Sequence, residues 1–174
     1  MAAPADQIYE IKTHLLYELK WTIYAASRFQ EERDGDPYLA LIDSATIHAR
    51  NLFDFAYHPS TTQFTLQSLG GRQQPSGGWW DWANNRVTHM RQRETTRAPW
   101  PSGLDNNRPD RFMVMADEAL QALETGGASI PAGPVKVAFD EVVAAGRAYW
   151  TLPDDSHHNA LQALYDDSRD SRPY

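Results

Sequence analysis

The sequence predicts an all-α bundle of five or six helices folded as a single domain. Apolar residues recur at spacings of three and four along the chain, the mark of helices with one buried face. No run alternates convincingly with period two, and the best strand candidate, Val135 to Val143, reads equally well as a helix. Glycine and proline clusters separate the helical stretches, and no internal repeat is present.

The composition suits such a bundle. With 41% hydrophobic and 22% charged residues, the 174-residue chain is far from the disordered class. A chain of this length buries roughly 70% of its unfolded surface on folding, enough for a core without staples. There is no cysteine, which excludes disulfides, thiolate zinc sites and thiol catalysis and fits a cytoplasmic protein. The first residues carry no basic region followed by an apolar run, and no window approaches the ~18 consecutive apolar residues of a membrane span, so neither secretion nor membrane insertion is expected. A net charge of −7 argues against a surface that coats nucleic acid throughout. The stretch from Arg86 to Arg111 runs the other way, with six arginines against three acids, and reads as a solvated face and linker or as a local basic patch.

The first helix is expected from about Gln7 to Arg33, capped by Asp6, with Ile8, Ile11, Leu15, Leu19, Ile23, Ala26 and Phe29 on its apolar line. Gly35 and Pro37 end it and open an antiparallel second helix to about Tyr57. Ile42, Ala45, Ala49, Leu52 and Ala56 mark the core face of that helix, and its small alanines permit close approach. A short helix through Thr62 to Leu69 can follow, and then Gly70 to Gly78 reads as a flexible loop by composition. Trp79, Trp80 and Trp82 lead a third long helix to about Arg93 and read as a packing anchor rather than a base-stacking platform. After a proline-punctuated loop, Met113, Ala116, Leu120 and Leu123 line another helix, closed by Gly126-Gly127. A helix from about Pro134 to Trp150 follows, in which Gly146 costs about 1 kcal/mol relative to alanine. Pro153 breaks it, Ser156 caps a last short helix through Leu164, and residues 166–174 form a charged tail expected to fray from a domain spanning 1–165. The expected core gathers Leu15, Leu19, Ile23, Ile42, Ala45, Ala49, Leu52, Val87, Met90, Met113, Leu120 and Leu123.

Two polar strips interrupt these apolar patterns. On the second helix Ser44, His48 and Asn51 share a line at spacings of four and three, while Arg50 points elsewhere with Asp43, Ile47 and Asp54. On the helix after Trp79, Asn85 and His89 share a face and Asn84 lies with Thr88, with Arg86 and Arg91 nearby. Such strips can hydrogen-bond two helices together, hold a phosphate or move a proton, and residue type and spacing do not choose among the three. The six histidines form no metal-binding spacing, and no phosphate loop, nucleophile elbow or dinucleotide fingerprint occurs, so no metal or cofactor is expected.

The run Ile47-His48-Ala49-Arg50-Asn51-Leu52-Phe53-Asp54-Phe55, followed by Ala83-Asn84-Asn85-Arg86-Val87-Thr88-His89-Met90, resembles a group of small bacterial helical proteins over roughly residues 1–95. More remotely, the second segment is similar to the signature of HEPN domains. Those are helical bundles in which an Arg-Asn pair and a following histidine often form a metal-independent RNA-cleaving site at a dimer interface. By that resemblance Asn84 matches the asparagine and His89 the histidine, but Ala83 stands in place of the catalytic arginine, leaving Arg86, Arg50 or Arg91 to supply charge.

The resulting expectation is a cytoplasmic, HEPN-like helical binding or interaction module with a degenerate catalytic motif, taking RNA, a protein or a second copy of itself as partner. The alternative is a metal-independent ribonuclease or RNA-binding toxin-like domain, with His89 as general acid-base, Asn84 positioning phosphate and Arg86 or Arg50 stabilising charge. A small-molecule or metal-binding bundle is the third course.

Overall fold

The computed structural model of the chain describes residues 3–31, 36–59, 63–75, 77–88 and 110–170. Among these there are helices and no strand. The elements are α1 (Pro4–Glu10), a π-helical turn (Ile11–Leu15), α2 (Leu16–Glu31), α3 (Asp36–Tyr57), a 3-10 turn (Gln67–Leu69), α4 (Gly78–Thr88), α5 (Arg111–Gly127), α6 (Pro134–Thr151) and α7 (Asp155–Asp170). Because α1, the π turn and α2 run on as one rod, the described residues make six helical rods.

The first rod starts earlier than an Asp6 cap predicts. Pro4 opens it, with its φ preset and no N–H to satisfy, and Asp6 falls in the first turn, where its charge favours the helix dipole. The apolar periodicity carries no sign of the π turn. Within it the Thr13 hydroxyl donates to the Tyr9 carbonyl at 2.7 Å, a back-bond of the kind that bends helices. Lys12 ties the same turn to Glu141 of α6 at 2.8 Å.

The core forms where α2 lies along α3 and both meet α5, with α6 and α7 closing the other side of α2. Of the expected core residues, Leu15, Leu19, Ile23, Ile42, Ala45, Ala49, Leu52, Met113, Leu120 and Leu123 are buried. The Val87 side chain and Met90 lie outside the described residues. Gly146 has a packing reason: a Cβ there would stand 3.3 Å from Leu19 and 3.4 Å from Leu120, where α6 crosses α2 and α5. Gly126 and Gly127 also work by space rather than by left-handed conformation. They lie in the last turn of α5, and a Cβ on Gly127 would stand 2.1 Å from the Phe139 ring.

The stretch expected to be a flexible loop is tied down instead. Gln74 N–H donates to the Ala56 carbonyl at 3.2 Å, and Arg72 N–H donates to the Gly126 carbonyl at 2.9 Å. These bonds join the strap to both α3 and α5. It delivers Trp79 and Trp82, which are buried edge-to-face with ring centroids 5.3 Å apart, as an anchor should be. Helix α4 then runs antiparallel to α3, since Trp80 bonds Asp54 while the later Asn84 bonds the earlier Arg50. The rest of the helix expected to Arg93, the loop from Thr96 to Pro109, and Thr62 lie outside the described residues.

Arg111, read as part of a basic solvated stretch, is buried with its guanidinium 4.7 Å from the centre of the Phe29 ring. Between α5 and α6 the Arg147 fork donates to Glu124 at 2.8 and 2.9 Å and to Asp117 at 2.5 Å, which holds its pKa above the ordinary arginine value. Asp154, not Ser156, caps α7: its carboxylate accepts the His157 N–H at 2.9 Å and the Ser156 hydroxyl at 2.7 Å. These donors hold the Asp154 carboxyl well below the usual range. Residues 166–170, assigned from sequence to a fraying tail, continue α7, and the buried Ser168 hydroxyl bonds the Leu164 carbonyl at 2.7 Å. No helix among the described residues is long and apolar enough to cross a membrane.

Candidate functional site

The α3 strip meets α2 through one carboxylate. Glu18 receives His48 on one oxygen, Nδ1 to Oε2 at 2.6 Å, and the Asn51 amide on the other at 3.1 Å. His48 and Asn51 are three residues apart on one helical line, so both reach a single acceptor on the facing helix. The Tyr17 ring stands edge-on to the His48 imidazole at 5.5 Å, and Trp21 lies stacked beyond it at 6.5 Å. Ser44, one turn earlier and partly buried, does not line the cavity beside this network.

The next turn of α3 meets α4. Arg50 Nε donates to the Asn84 side-chain oxygen at 3.2 Å, and Arg50 Nη2 lies 3.4 Å from Asp54 Oδ2. The other Asp54 oxygen accepts the Trp80 indole N–H at 2.9 Å. Arg50 thus points away from His48, as helical spacing predicts, yet the two belong to adjoining networks along one side of α3.

These networks border an open cavity of about 540 Å³ between α2, α3, α4 and the chain after His58. Glu18, Arg50, Asn51, Asp54 and Asn84 supply polar groups to its lining, together with Gln63 and Thr65. Leu15, Leu52, Phe55, Phe64 and Trp80 supply apolar and aromatic surface, and the Phe55 and Phe64 rings lie 4.9 Å apart. His14, carried by the π turn, and His58, just past the end of α3, add two exposed imidazoles to the lining. Arg50 and Asp54 are each 35% exposed and Glu18 23%, so these charges face solvent-reachable space.

Among the residues singled out from sequence, the fold brings together His48, Asn51, Arg50 and Asn84. Asn85 and Arg86 lie in the backbone of α4 with side chains outside the described residues, and His89 and Arg91 lie wholly outside them. Ala83 is fully buried and faces the core, while Asn84 turns toward Arg50. Glu18, Asp54 and Trp80 escaped the sequence reading as site residues. Asp54 carried a signal in its place four residues after Arg50, but Glu18 is an isolated acid in an apolar helix. Among the described residues, no group of three or more histidines, aspartates or glutamates is placed to hold a metal ion.

A second acid lies under the start of α4. Glu118 of α5 accepts the Trp79 backbone N–H and lies 3.5 Å from the Tyr57 hydroxyl. Burial pushes the Glu118 carboxyl above its ordinary pKa, against the pull of those two donors. Burial first, and then the neighbouring Glu118, push the Tyr57 hydroxyl up as well.

No protein-family model matches the chain, and neither a curated protein nor a solved structure matches it.

Proposed function

We propose that the chain is a HEPN-like helical binding module of the cytoplasm, non-catalytic, whose binding face is the cavity between α2, α3 and α4. One observation carries the reading: the polar strip residues are engaged with one another, Glu18 with His48 and Asn51, and Arg50 with Asn84 and Asp54, beside a cavity of about 540 Å³ that stays open. A volume in the range of about 300–1,000 Å³, lined by apolar and aromatic surface together with polar groups that fix orientation, is what small-ligand sites have. The strips organise the helices, and the space beside them takes the ligand.

The test pairs a melting curve with an RNA assay. His48→Ala leaves the Glu18 carboxylate short of one donor and lowers the melting temperature, and neither wild type nor variant cleaves mixed labelled RNA with or without EDTA. Cleavage that survives EDTA and disappears in a folded His89→Ala variant overturns the non-catalytic reading.

A second reading, the metal-independent ribonuclease, is favoured by one contact. Arg50 Nε, 3.2 Å from Asn84 Oδ1, sets a guanidinium beside the asparagine that the HEPN resemblance makes functional. On that reading Arg50→Ala and His89→Ala each abolish cleavage in folded protein, with Arg50 replacing the arginine absent at Ala83.

A further inference from the structure

We propose that the α2–α3–α4 cavity takes a small organic cation, a primary ammonium carried on an aromatic or branched apolar body. The inference rests on the cavity being the binding face and adds what chemistry it selects.

Charge is the first argument. The lining holds two carboxylates, Glu18 and Asp54, against one guanidinium, Arg50, beside the imidazoles of His14 and His58. An incoming anion would meet two negative groups with a single cation to oppose them. That cation is already held by partners of its own, Asn84 at Nε and Asp54 at Nη2. An incoming ammonium meets the reverse balance. The net charge of −7 on the whole chain enriches cations around the molecule in the same sense.

Hydrogen-bond capacity is the second. Four donors are directed at the two carboxylates, Asn51 to Glu18 Oε1, His48 beside Oε2, Trp80 to Asp54 Oδ1 and Arg50 Nη2 beside Asp54 Oδ2, while Arg50 Nε donates to Asn84. Each carboxylate oxygen has two lone pairs with which to accept, and Glu18 and Asp54 both line the cavity. An ammonium brings three donors and no acceptor, which suits such a wall.

The third argument is the aromatic part of the lining. Phe55, Phe64 and Trp80 offer ring surface for an apolar body and, at the boundary with Asp54, for the cation itself. Trp80 joins the two kinds of lining: its indole N–H holds Asp54 while its residue borders the cavity. A ligand that joins a charged group to a hydrophobic body matches that mixed lining.

The experiment uses the full chain and three probes of one shape: tryptamine, indole-3-acetate and indole. Affinity is measured by calorimetry, and the site is identified from the indole N–H resonance of Trp80, assigned with Trp80→Phe. Tryptamine is expected to shift that resonance and to bind about tenfold more tightly than either other probe, with affinity falling as salt is raised. Asp54→Asn keeps an oxygen for the Trp80 N–H and removes the charge. It is expected to lower tryptamine affinity about tenfold with its melting curve close to wild type. Equal or tighter binding of indole-3-acetate, with the Trp80 signal moving, overturns the cation and leaves the cavity as a ligand site. No movement of that signal with any probe overturns the cation and counts against the cavity as the binding face. Unchanged tryptamine affinity in Asp54→Asn also overturns the proposal.

Discussion

Two acidic clusters touch α4, and they differ in how they are closed. At the N-terminal end, Glu118 sits under the first turn between Tyr57 and the Trp79 N–H, and a Cβ on Gly77 would come within 2.0 Å of its carboxylate. Along the side, Glu18 and Asp54 hold a similar number of donors but border an open cavity. Both clusters use a carboxylate to gather donors from two or more elements. Glu118 packs closely against Gly77 and ties α5 to α3 and to the start of α4, so it acts as a joint. The open one keeps charges in contact with space, and that difference makes it the candidate site.

The largest expected effect comes from breaking the joint. Glu118→Ala leaves the Trp79 N–H and the Tyr57 hydroxyl without their shared acceptor and removes packed methylenes, so it should lower unfolding stability by about 2–4 kcal/mol in urea titration. The corresponding break on the open side, Glu18→Ala, strips His48 and Asn51 of their acceptor. Water can reach these groups in part, and the expected loss is smaller, about 1–2 kcal/mol. If Glu18→Ala costs as much as Glu118→Ala, the open network is as structural as the closed one.

The pH dependence sharpens the contrast. Glu118 has a folded pKa raised above the ordinary 4.5, chiefly by burial, so the folded state binds its proton more tightly than the unfolded state does. Its contribution is fully present below that ordinary value and is lost as pH rises through the raised one. Glu118→Gln removes this slope, and its stability relative to wild type should climb over that interval. His158, on α7 against Tyr24 and Tyr149, works in the opposite sense: burial, and then the charge of Lys20, pull its pKa below 6.5. The unfolded chain then binds the proton more tightly, so stability is present above 6.5 and is lost as pH falls through the depressed value. His158→Gln should flatten that loss. Urea midpoints measured across both windows for wild type and the two variants check both signs, and a Glu118→Gln curve parallel to wild type would remove the closed joint as a titrating element.

These clusters also divide what the sequence makes legible from what it does not. The α3 strip is visible because His48 and Asn51 stand at helical spacing beside an apolar line, and partial burial is where that pattern puts them. Glu18 is not visible, because its role depends on which helix faces it. The same holds for Glu118, whose partners Tyr57 and Trp79 come from segments far along the chain. Core residues follow from periodicity alone, whereas the strap from Gly70 to Pro75 misleads: its glycines and glutamines suggest mobility, and its backbone bonds to Ala56 and Gly126 come from tertiary packing. The π turn has no compositional mark either, since it is a change of hydrogen-bond register within residues that suit an α-helix equally well.

The smallest effect is expected at Arg50, and it separates charge from geometry on the open wall. Its planar fork reaches Asn84 through Nε and Asp54 through Nη2, a pair of contacts on two helices that a lysine ammonium cannot reproduce at once. Arg50→Lys keeps the positive charge beside Asp54 and gives up the directed bond to Asn84. At 35% exposure the stability cost should be about 0.5 kcal/mol, close to the limit of a denaturation measurement. A double-mutant cycle with Asn84→Ala resolves it, because Arg50→Lys should cost nothing further once the amide is gone. A cost that persists in the Asn84→Ala background would place Arg50's contribution in its pairing with Asp54, making the guanidinium a counter-ion of the cavity rather than a tie between α3 and α4.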